Sequence, residues 1–116
     1  ETESKIIQDL AQKEDCIIVG RCANYLLRGK CLSLFVYAPY EYRVQKVMER
    51  LGREDRSARA MIRKTDKSRK AYYEFFTDEK WNDPENYNFC VDTSQFSKEF
   101  LVKLLAQVYR EWTPGE

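Results

Sequence analysis

Three short apolar runs alternate with segments of helical periodicity, and this alternation limits the folds open to the chain. The runs cover residues 16–19, 32–38 and 89–94. The first is rich in β-branched residues and lacks polar alternation, which is typical of a strand covered on both faces. Strands that alternate with helices favour a parallel sheet with right-handed crossovers. The sequence therefore predicts an α/β fold with a mainly parallel sheet and flanking helices.

The helical segments between these runs have recognisable ends. Pro39 suits the first turn of a helix, and Gly52 is a natural terminator. Apolar spacing predicts one or two helical turns over residues 23–28 and longer helices over 4–13, about 57–76 and 97–112, with a further helix between Pro39 and Gly52. With 116 residues and no internal repeat, the chain has enough apolar material for one domain, which we place over residues 1–116.

Polar residues follow two of the predicted strands. Gly20 and Arg21 end the first, and the third ends in Asp92, Thr93 and Ser94. Ligands of open α/β sheets bind beyond the carboxyl ends of the strands, so these residues are expected at the ligand edge. Gly20 permits a sharp turn, and the Arg21 guanidinium matches a phosphate or a carboxylate. The alternative is that Arg21 pairs with a nearby acidic side chain of the protein itself.

The positive charge is concentrated in one part of the chain. Residues 43–70 contain eleven Lys or Arg and four Asp or Glu, although the whole chain has a net charge of only +1. Such a block suits a partner that carries phosphates, or it forms a solvated helical face. Arg43, in the first turn after the second strand, can reach the ligand edge, whereas Arg50 lies two turns further along and is expected on the surface.

The basic helix offers candidate catalytic residues within two turns. Arg63 and Lys67 are four residues apart, and Asp66 and Arg69 are three apart, so each pair shares a helical face. As a mobile lid over about residues 53–76, this helix could close over nucleotide phosphates and exclude water. Two alternatives remain open: a surface helix with internal ion pairs, and an RNA-binding surface that uses the nearby aromatic residues Tyr72, Tyr73, Phe75 and Phe76.

Other site classes and locations are disfavoured. The four cysteines show no zinc-ligand spacing and the chain has no histidine, so we expect no metal site of this kind. Cys16 and Cys90 lie in apolar runs and are expected to be reduced and buried. The longest apolar run is far shorter than the roughly 20 residues of a membrane span. The acidic start also differs from a signal peptide, so we expect a soluble, cytoplasmic protein.

Four segments, taken in order, resemble the cytidylate kinase-like family of P-loop nucleoside monophosphate kinases. They are CIIVGRCANYLLRG, LFVYAPYEYRVQKVMER, IRKTDKSRKAYYEFF and KWNDPENYNFCVDTS. The resemblance implies a three-layer fold and phosphoryl transfer from ATP, with Mg²⁺, to an acceptor such as CMP. It implies that Gly20, Arg21 and Arg43 bind the acceptor, that Asp92, Thr93 and Ser94 adjoin the nucleotide site, and that the lid acts through Arg63, Asp66, Lys67 and Arg69.

Two departures from the family pattern qualify this resemblance. Cys22 stands where cytidylate kinases carry an acid after Gly-Arg, and no segment matches the phosphate-binding pattern G-x-x-x-x-G-K-[ST]. We therefore expect a carboxyl-terminal portion that is inactive alone and lacks the first strand, which in this fold lies between the strands ending at Gly20 and Ala38. Dimerisation or strand exchange would fill that gap. The competing hypothesis is a kinase-like binding or oligomerisation module without catalysis.

Overall fold

The computed structural model describes residues 2–13 and 15–113. Five α-helices and two β-strands form in this part of the chain: α1 (Thr2–Lys13), α2 (Ala23–Leu26), β1 (Leu34–Tyr37), α3 (Tyr40–Leu51), α4 (Asp55–Thr77), β2 (Phe89–Asp92) and α5 (Lys98–Glu111). Single 3₁₀ turns cover Pro84–Asn86 and Thr93–Gln95. None of the helices described has the length and apolar character of a membrane span.

The two strands form a parallel pair. Leu34 lies opposite Phe89, and Tyr37 lies opposite Asp92 at the carboxyl end. Parallel pairing with helices between the strands confirms the mixed helix and parallel-sheet prediction. Both strands are shorter than the apolar runs that contain them, and the run over residues 89–94 ends in a 3₁₀ turn that begins at Thr93.

The strand predicted over residues 16–19 is not formed. These residues have no regular secondary structure, and the side chains of Ile17 and Val19 are 95% and 88% exposed. A strand needs a neighbour to satisfy its backbone groups, and in the described residues β1 pairs only with β2. The apolar run thus has strand composition without a strand partner in this part of the chain.

The prediction that Cys16 and Cys90 are buried is also wrong. Both are exposed, and all four cysteines are free thiols. Cys16 lies in the unpaired segment, and Cys90 lies in a sheet of two strands, which is too narrow to be covered completely. Cys22, for which no burial was predicted, is the buried cysteine.

The hydrophobic core is divided into two small clusters. The α1–α2 cluster consists of Ile7, Ala23 and Leu27. The α3–α4 cluster consists of Val44, Ala58 and Ile62. Each cluster joins two helices that are close in sequence, so an additional element is needed to connect the two parts of the fold.

Helix α4 makes this connection. Its buried side chains lie near its two ends: Ala58 and Ile62 pack on α3, whereas Tyr73 and Thr77 are buried towards the carboxyl end. The Tyr73 hydroxyl accepts a hydrogen bond of 3.0 Å from the side-chain amide of Asn24 on α2. Because these positions recur every three or four residues, the middle of the same face falls at Asp66 and Arg69. The inward face of α4 is therefore apolar at its ends and polar in the middle.

An arginine also fastens the amino-terminal part of α4 to α3. Arg59 donates hydrogen bonds of 2.9 and 2.8 Å to Glu41 on α3, and one of 2.7 Å to Asp55 on α4. These bonds lower the pKa of both carboxyl groups. Both carboxylates are exposed to solvent, so these two ion pairs orient the helices more than they stabilise the fold.

We expect Val44→Ala to destabilise the protein by about 2 kcal/mol, because the change removes buried methyl groups and leaves a cavity. Val44 is 2% exposed. The matched control is Val102→Ala on α5, where the valine is also helical but 61% exposed; it should change stability by less than about 0.5 kcal/mol. Urea unfolding measures both, and equal effects would show that the α3–α4 cluster is not a core.

Candidate functional site

The candidate site lies where the chain leaves the carboxyl end of β1. Pro39 separates β1 from α3, and its carbonyl oxygen accepts a hydrogen bond of 3.1 Å from the backbone N–H of Arg43. Arg43 therefore lies in the first turn of α3, next to the strand end. Val44 is buried in the α3–α4 cluster, which fixes the direction in which this turn faces.

Arg43 forms an ion pair with Asp66 in the middle of α4. The distance from Arg43 Nη2 to Asp66 Oδ1 is 2.6 Å, and the two side chains are 33% and 31% exposed. A hydrogen bond between two ionised groups is stronger than a neutral one, and partial burial reduces its screening by water. The structure thus brings together a predicted acceptor-binding residue and a predicted lid residue that are 23 positions apart.

Tyr40 is a neighbour of this pair that sequence reasoning missed. Its hydroxyl accepts a hydrogen bond of 3.2 Å from Arg63 Nη1, and its ring lies 5.5 Å from the guanidinium of Arg59. Tyr40 thereby places Arg63, a predicted catalytic residue, beside the first turn of α3. Its position directly after the strand end and Pro39 was the available signal, because ligand-edge residues occur there in α/β folds.

Lys67 and Arg69 are two further cations of α4 that the sequence analysis assigned to the site. Within the described residues, both are exposed and form neither an ion pair nor a side-chain hydrogen bond. Arg69 lies between Asp66 and Tyr73 along the helix, and Lys67 follows Arg63 by one turn. Unpaired cations close to the Arg43–Asp66 pair form a region of positive potential that favours an anionic ligand.

The Gly20-Arg21 turn has the sharp geometry that the sequence indicated. Gly20, Arg21 and Cys22 have φ angles of +75°, +58° and +56°. This conformation costs a residue with a side chain about 1–2 kcal/mol, so two consecutive non-glycine residues make the turn strained. The turn directs the chain from residues 16–19 into α2, which packs on α1.

Arg21 has an acidic partner, as the alternative interpretation of this residue required. Its Nε lies 3.7 Å from Glu3 Oε2, with the two side chains 62% and 56% exposed. Glu3 also accepts a hydrogen bond of 3.5 Å from the Tyr72 hydroxyl on α4, one turn beyond Arg69. At this exposure the pair is weak and leaves the guanidinium accessible. No hydrogen bond or ion pair between described residues joins Arg21 to Arg43.

The residues after β2 form a local turn. Asp92 Oδ1 accepts hydrogen bonds from the backbone N–H and the hydroxyl of Ser94, at 2.8 and 2.7 Å. The Thr93 hydroxyl lies 3.4 Å from the carbonyl oxygen of Tyr37, linking the carboxyl ends of the two strands. An Asp side chain commonly accepts a hydrogen bond from the backbone N–H two residues later and so favours a turn. The sequence analysis did not use this signal at Asp92. The predicted nucleotide role of these residues remains a prediction.

Cys22 cannot supply the negative charge that its counterpart carries in cytidylate kinases. Burial, and secondarily the nearby Glu3, raises the pKa of its thiol. The group is therefore neutral at pH 7. Its side chain lies against the protein interior instead of pointing into solvent. In this chain the position after Arg21 contributes packing and cannot accept hydrogen bonds as a carboxylate does.

The described residues contain no group of three or more Cys, Asp or Glu that is placed to hold a metal ion.

A polar cavity of about 130 Å³ opens at the amino-terminal ends of the strands, away from the predicted ligand edge. It lies between Asn24, Arg28, Asn86 and Asn88.

The aromatic residues of α4 are not all part of the hydrophobic core. Phe75 is 80% exposed, while Tyr73 is buried.

Substitutions at Gly20 test whether the turn needs its left-handed geometry. A Cβ at Gly20 would have no neighbour within 4 Å, so any cost of Gly20→Ala comes from the backbone alone. We expect a loss of about 1 kcal/mol in the free energy of unfolding for Gly20→Ala. Gly20→Asn should lose less, because Asn adopts this conformation more readily. Chemical denaturation measures both, and a stabilising Gly20→Ala would contradict the geometry.

Comparison with known proteins identifies the family and the fold of the chain. The sequence profile of the cytidylate kinase-like family matches residues 1–95. The structure is similar to the crystal structure of an uncharacterized protein from Eubacterium ventriosum ATCC 27560, with 28% sequence identity and a TM-score of 0.87. The alignment covers 95% of this chain but only 64% of that protein. No curated protein matches the sequence. Since the family profile matches most of this chain, the chain belongs to the cytidylate kinase-like family.

Proposed function

We propose that this chain is the carboxyl-terminal portion of a nucleotide kinase that transfers a phosphoryl group from ATP to a nucleoside monophosphate such as CMP. The proposal rests on the ion pair of Arg43 with Asp66 beside the end of β1, with Arg63 hydrogen-bonded to Tyr40 in the same turn of α3. Family membership supplies the reaction class. The chain alone is proposed to be inactive, because it contains no phosphate-binding loop motif.

The acceptor is assigned to the arginines nearest the strand ends. Arg43 binds the monophosphate through its guanidinium, which matches phosphate geometry and stays charged at neutral pH. Arg21 provides a second contact, for which its exposed pair with Glu3 is easily exchanged. Gly20 allows the turn that presents Arg21. Asp92, Thr93 and Ser94, at the end of β2, are assigned to the edge of the nucleotide site.

The cations of α4 are assigned to the transferring group. An oxygen of the acceptor phosphate attacks the γ-phosphorus of ATP, and the bond from that phosphorus to the β–γ bridging oxygen breaks, which gives ADP and a nucleoside diphosphate. Negative charge spreads over the transferring oxygens, and Arg63, Lys67 and Arg69 stabilise it electrostatically. Closure of α4 as a lid would exclude water from the reacting phosphates.

ATP and Mg²⁺ fit the described residues to different degrees. The cations of α4 suit a triphosphate. Mg²⁺ usually binds one or two carboxylates together with substrate phosphates. Asp66 is paired with Arg43, and the described residues hold no group of three or more Cys, Asp or Glu placed around a metal ion. We therefore assign no step to a metal ligand in this part of the chain.

The proposed complete fold is a three-layer P-loop kinase-like domain in which a further strand lies between residues 16–19 and β1. The exposure of Ile17 and Val19 supports this arrangement, as does the absence of a second partner for β1 among the described residues. The chain also spans only 64% of the structurally similar protein. A strand from upstream residues or from another chain would cover this apolar surface.

The same exposed surface favours a second candidate function, a kinase-like binding or oligomerisation module without catalysis. In that case a partner strand, supplied by a second copy, completes the sheet and the cations serve binding alone. Chromatography with light scattering on the intact protein distinguishes the two when it is combined with an activity assay. A dimer without ADP release in the presence of any nucleoside monophosphate would favour the module.

The enzyme hypothesis is tested on the intact protein by ADP release with ATP, Mg²⁺ and each nucleoside monophosphate in turn. We expect turnover with at least one acceptor. Arg43→Gln should raise the KM for that acceptor by about 10- to 100-fold, because a hydrogen bond to a charged group contributes roughly 1.5–3 kcal/mol. Arg21→Gln should act in the same direction.

Arg50→Gln is the matched control for Arg43→Gln. Arg50 lies on the same helix, two turns away, is exposed and forms no ion pair among the described residues. Its substitution should leave the KM within about twofold, since it changes only surface charge. No turnover with any acceptor would refute the kinase proposal, and equal effects of Arg43→Gln and Arg50→Gln would refute the role of Arg43.

A further inference from the structure

Asp66 makes its short contact with the arginine that is proposed to bind the acceptor phosphate. The Asp66 carboxylate lies 2.6 Å from Arg43 Nη2, and both side chains are about one-third exposed. Arg43 has no other hydrogen bond from its side chain within the described residues. One nitrogen of the guanidinium is therefore bonded to a carboxylate, and the side chain remains about one-third exposed to solvent.

A carboxylate and a phosphate present the same type of oxygen to a guanidinium. A phosphate dianion has more charge than Asp66 and can form two parallel hydrogen bonds with arginine. Asp66 makes a single hydrogen bond to Arg43, whereas a phosphate can make two, so a phosphate can displace the carboxylate. Asp66 and a bound phosphate would otherwise repel each other across a short distance.

We propose that Asp66 is a positioning residue that occupies the phosphate-binding side of Arg43 in the ligand-free protein and is displaced by the phosphate of the incoming acceptor. This proposal rests on the proposed function, because it takes Arg43 as the acceptor contact. Displacement removes one contact between the middle of α4 and α3, where the hydrogen bond between Arg63 and Tyr40 remains. Arg59 and the α3–α4 cluster still hold the amino-terminal part of the helix.

Release of Asp66 links acceptor binding to the electrostatic surroundings of the cations on α4. Arg69 follows Asp66 by three residues, and Lys67 adjoins it. A rearrangement of the Asp66 carboxylate therefore changes the charge next to the cations that are assigned to the transferring phosphoryl group. The ligand shifts this equilibrium by the difference between its affinities for the paired and the released state.

The test is a titration of the chain with inorganic phosphate, followed by NMR at the Arg43 Nε–H signal. Removing the competing carboxylate in Asp66→Asn should tighten phosphate binding by about 3- to 10-fold. Asp66→Glu, which keeps a carboxylate, should return the affinity towards that of the wild type. Far-UV circular dichroism verifies the fold of each variant, and Asp66→Ser provides a second neutral substitution.

Glu41→Gln is the matched control, because it breaks the other carboxylate–guanidinium contact between α3 and α4 and removes one negative charge from the same turn of α3 without removing the partner of Arg43. It should change the affinity by less than about twofold. A similar gain in phosphate affinity in Glu41→Gln would show that the effect of Asp66→Asn comes from net charge alone, and it would overturn the proposal. Unchanged or weaker binding in Asp66→Asn would also overturn it and would make Asp66 a permanent support for Arg43.

Two results separate this proposal from the proposed function. If phosphate binds to the wild type and the binding is lost in Arg43→Gln, the role of Arg43 stands whatever Asp66→Asn does. If phosphate shifts the Arg43 signal neither in the wild type nor in Asp66→Asn, then Arg43 is not a phosphate contact, and both the assignment of the acceptor site and the role of Asp66 fail.

Discussion

The inward face of α4 is the constraint on which the rest of the structure depends. The buried side chains of the helix are Ala58 and Ile62 towards its amino-terminal end and Tyr73 and Thr77 towards its carboxyl end. Since the two core clusters are otherwise separate, the α3 side and the α2 side of the fold are held together largely through this helix. The polar middle of that face is then fixed beside the first turn of α3, and the candidate site lies there.

Local patterns in the sequence were sufficient to predict the helices and the paired strands. The bounds of α3 follow from Pro39 and Gly52, and Gly52 has the left-handed conformation of a helix terminator. The run over residues 16–19 shows the limit of such patterns, because its composition is that of a buried strand while its hydrogen-bonding partner lies outside the described residues. Strand composition is a local property, whereas strand formation requires a neighbour. The exposure of Cys16 has the same origin.

The candidate site was predictable in its location but not in its contacts. The rule that ligands bind at the carboxyl ends of parallel strands directed attention to Arg43, whose role as a ligand contact stays a prediction. Its pairing with Asp66 spans 23 positions and depends on how α3 packs against α4, which no local spacing encodes. Tyr40 was missed for the same reason. The pairing of Arg21 with Glu3 was anticipated as an alternative, although the identity of the partner was not.

The exchange of Asp66 for a phosphate group on Arg43 can be observed in a crystal structure of the intact protein with bound CMP. We expect the nucleotide phosphate to lie within hydrogen-bonding distance of the Arg43 guanidinium. We also expect the Asp66 carboxylate to have moved away from the Nη2 atom that it contacts in the free chain. A complex in which Arg43 still binds Asp66 while the phosphate binds elsewhere would contradict this exchange.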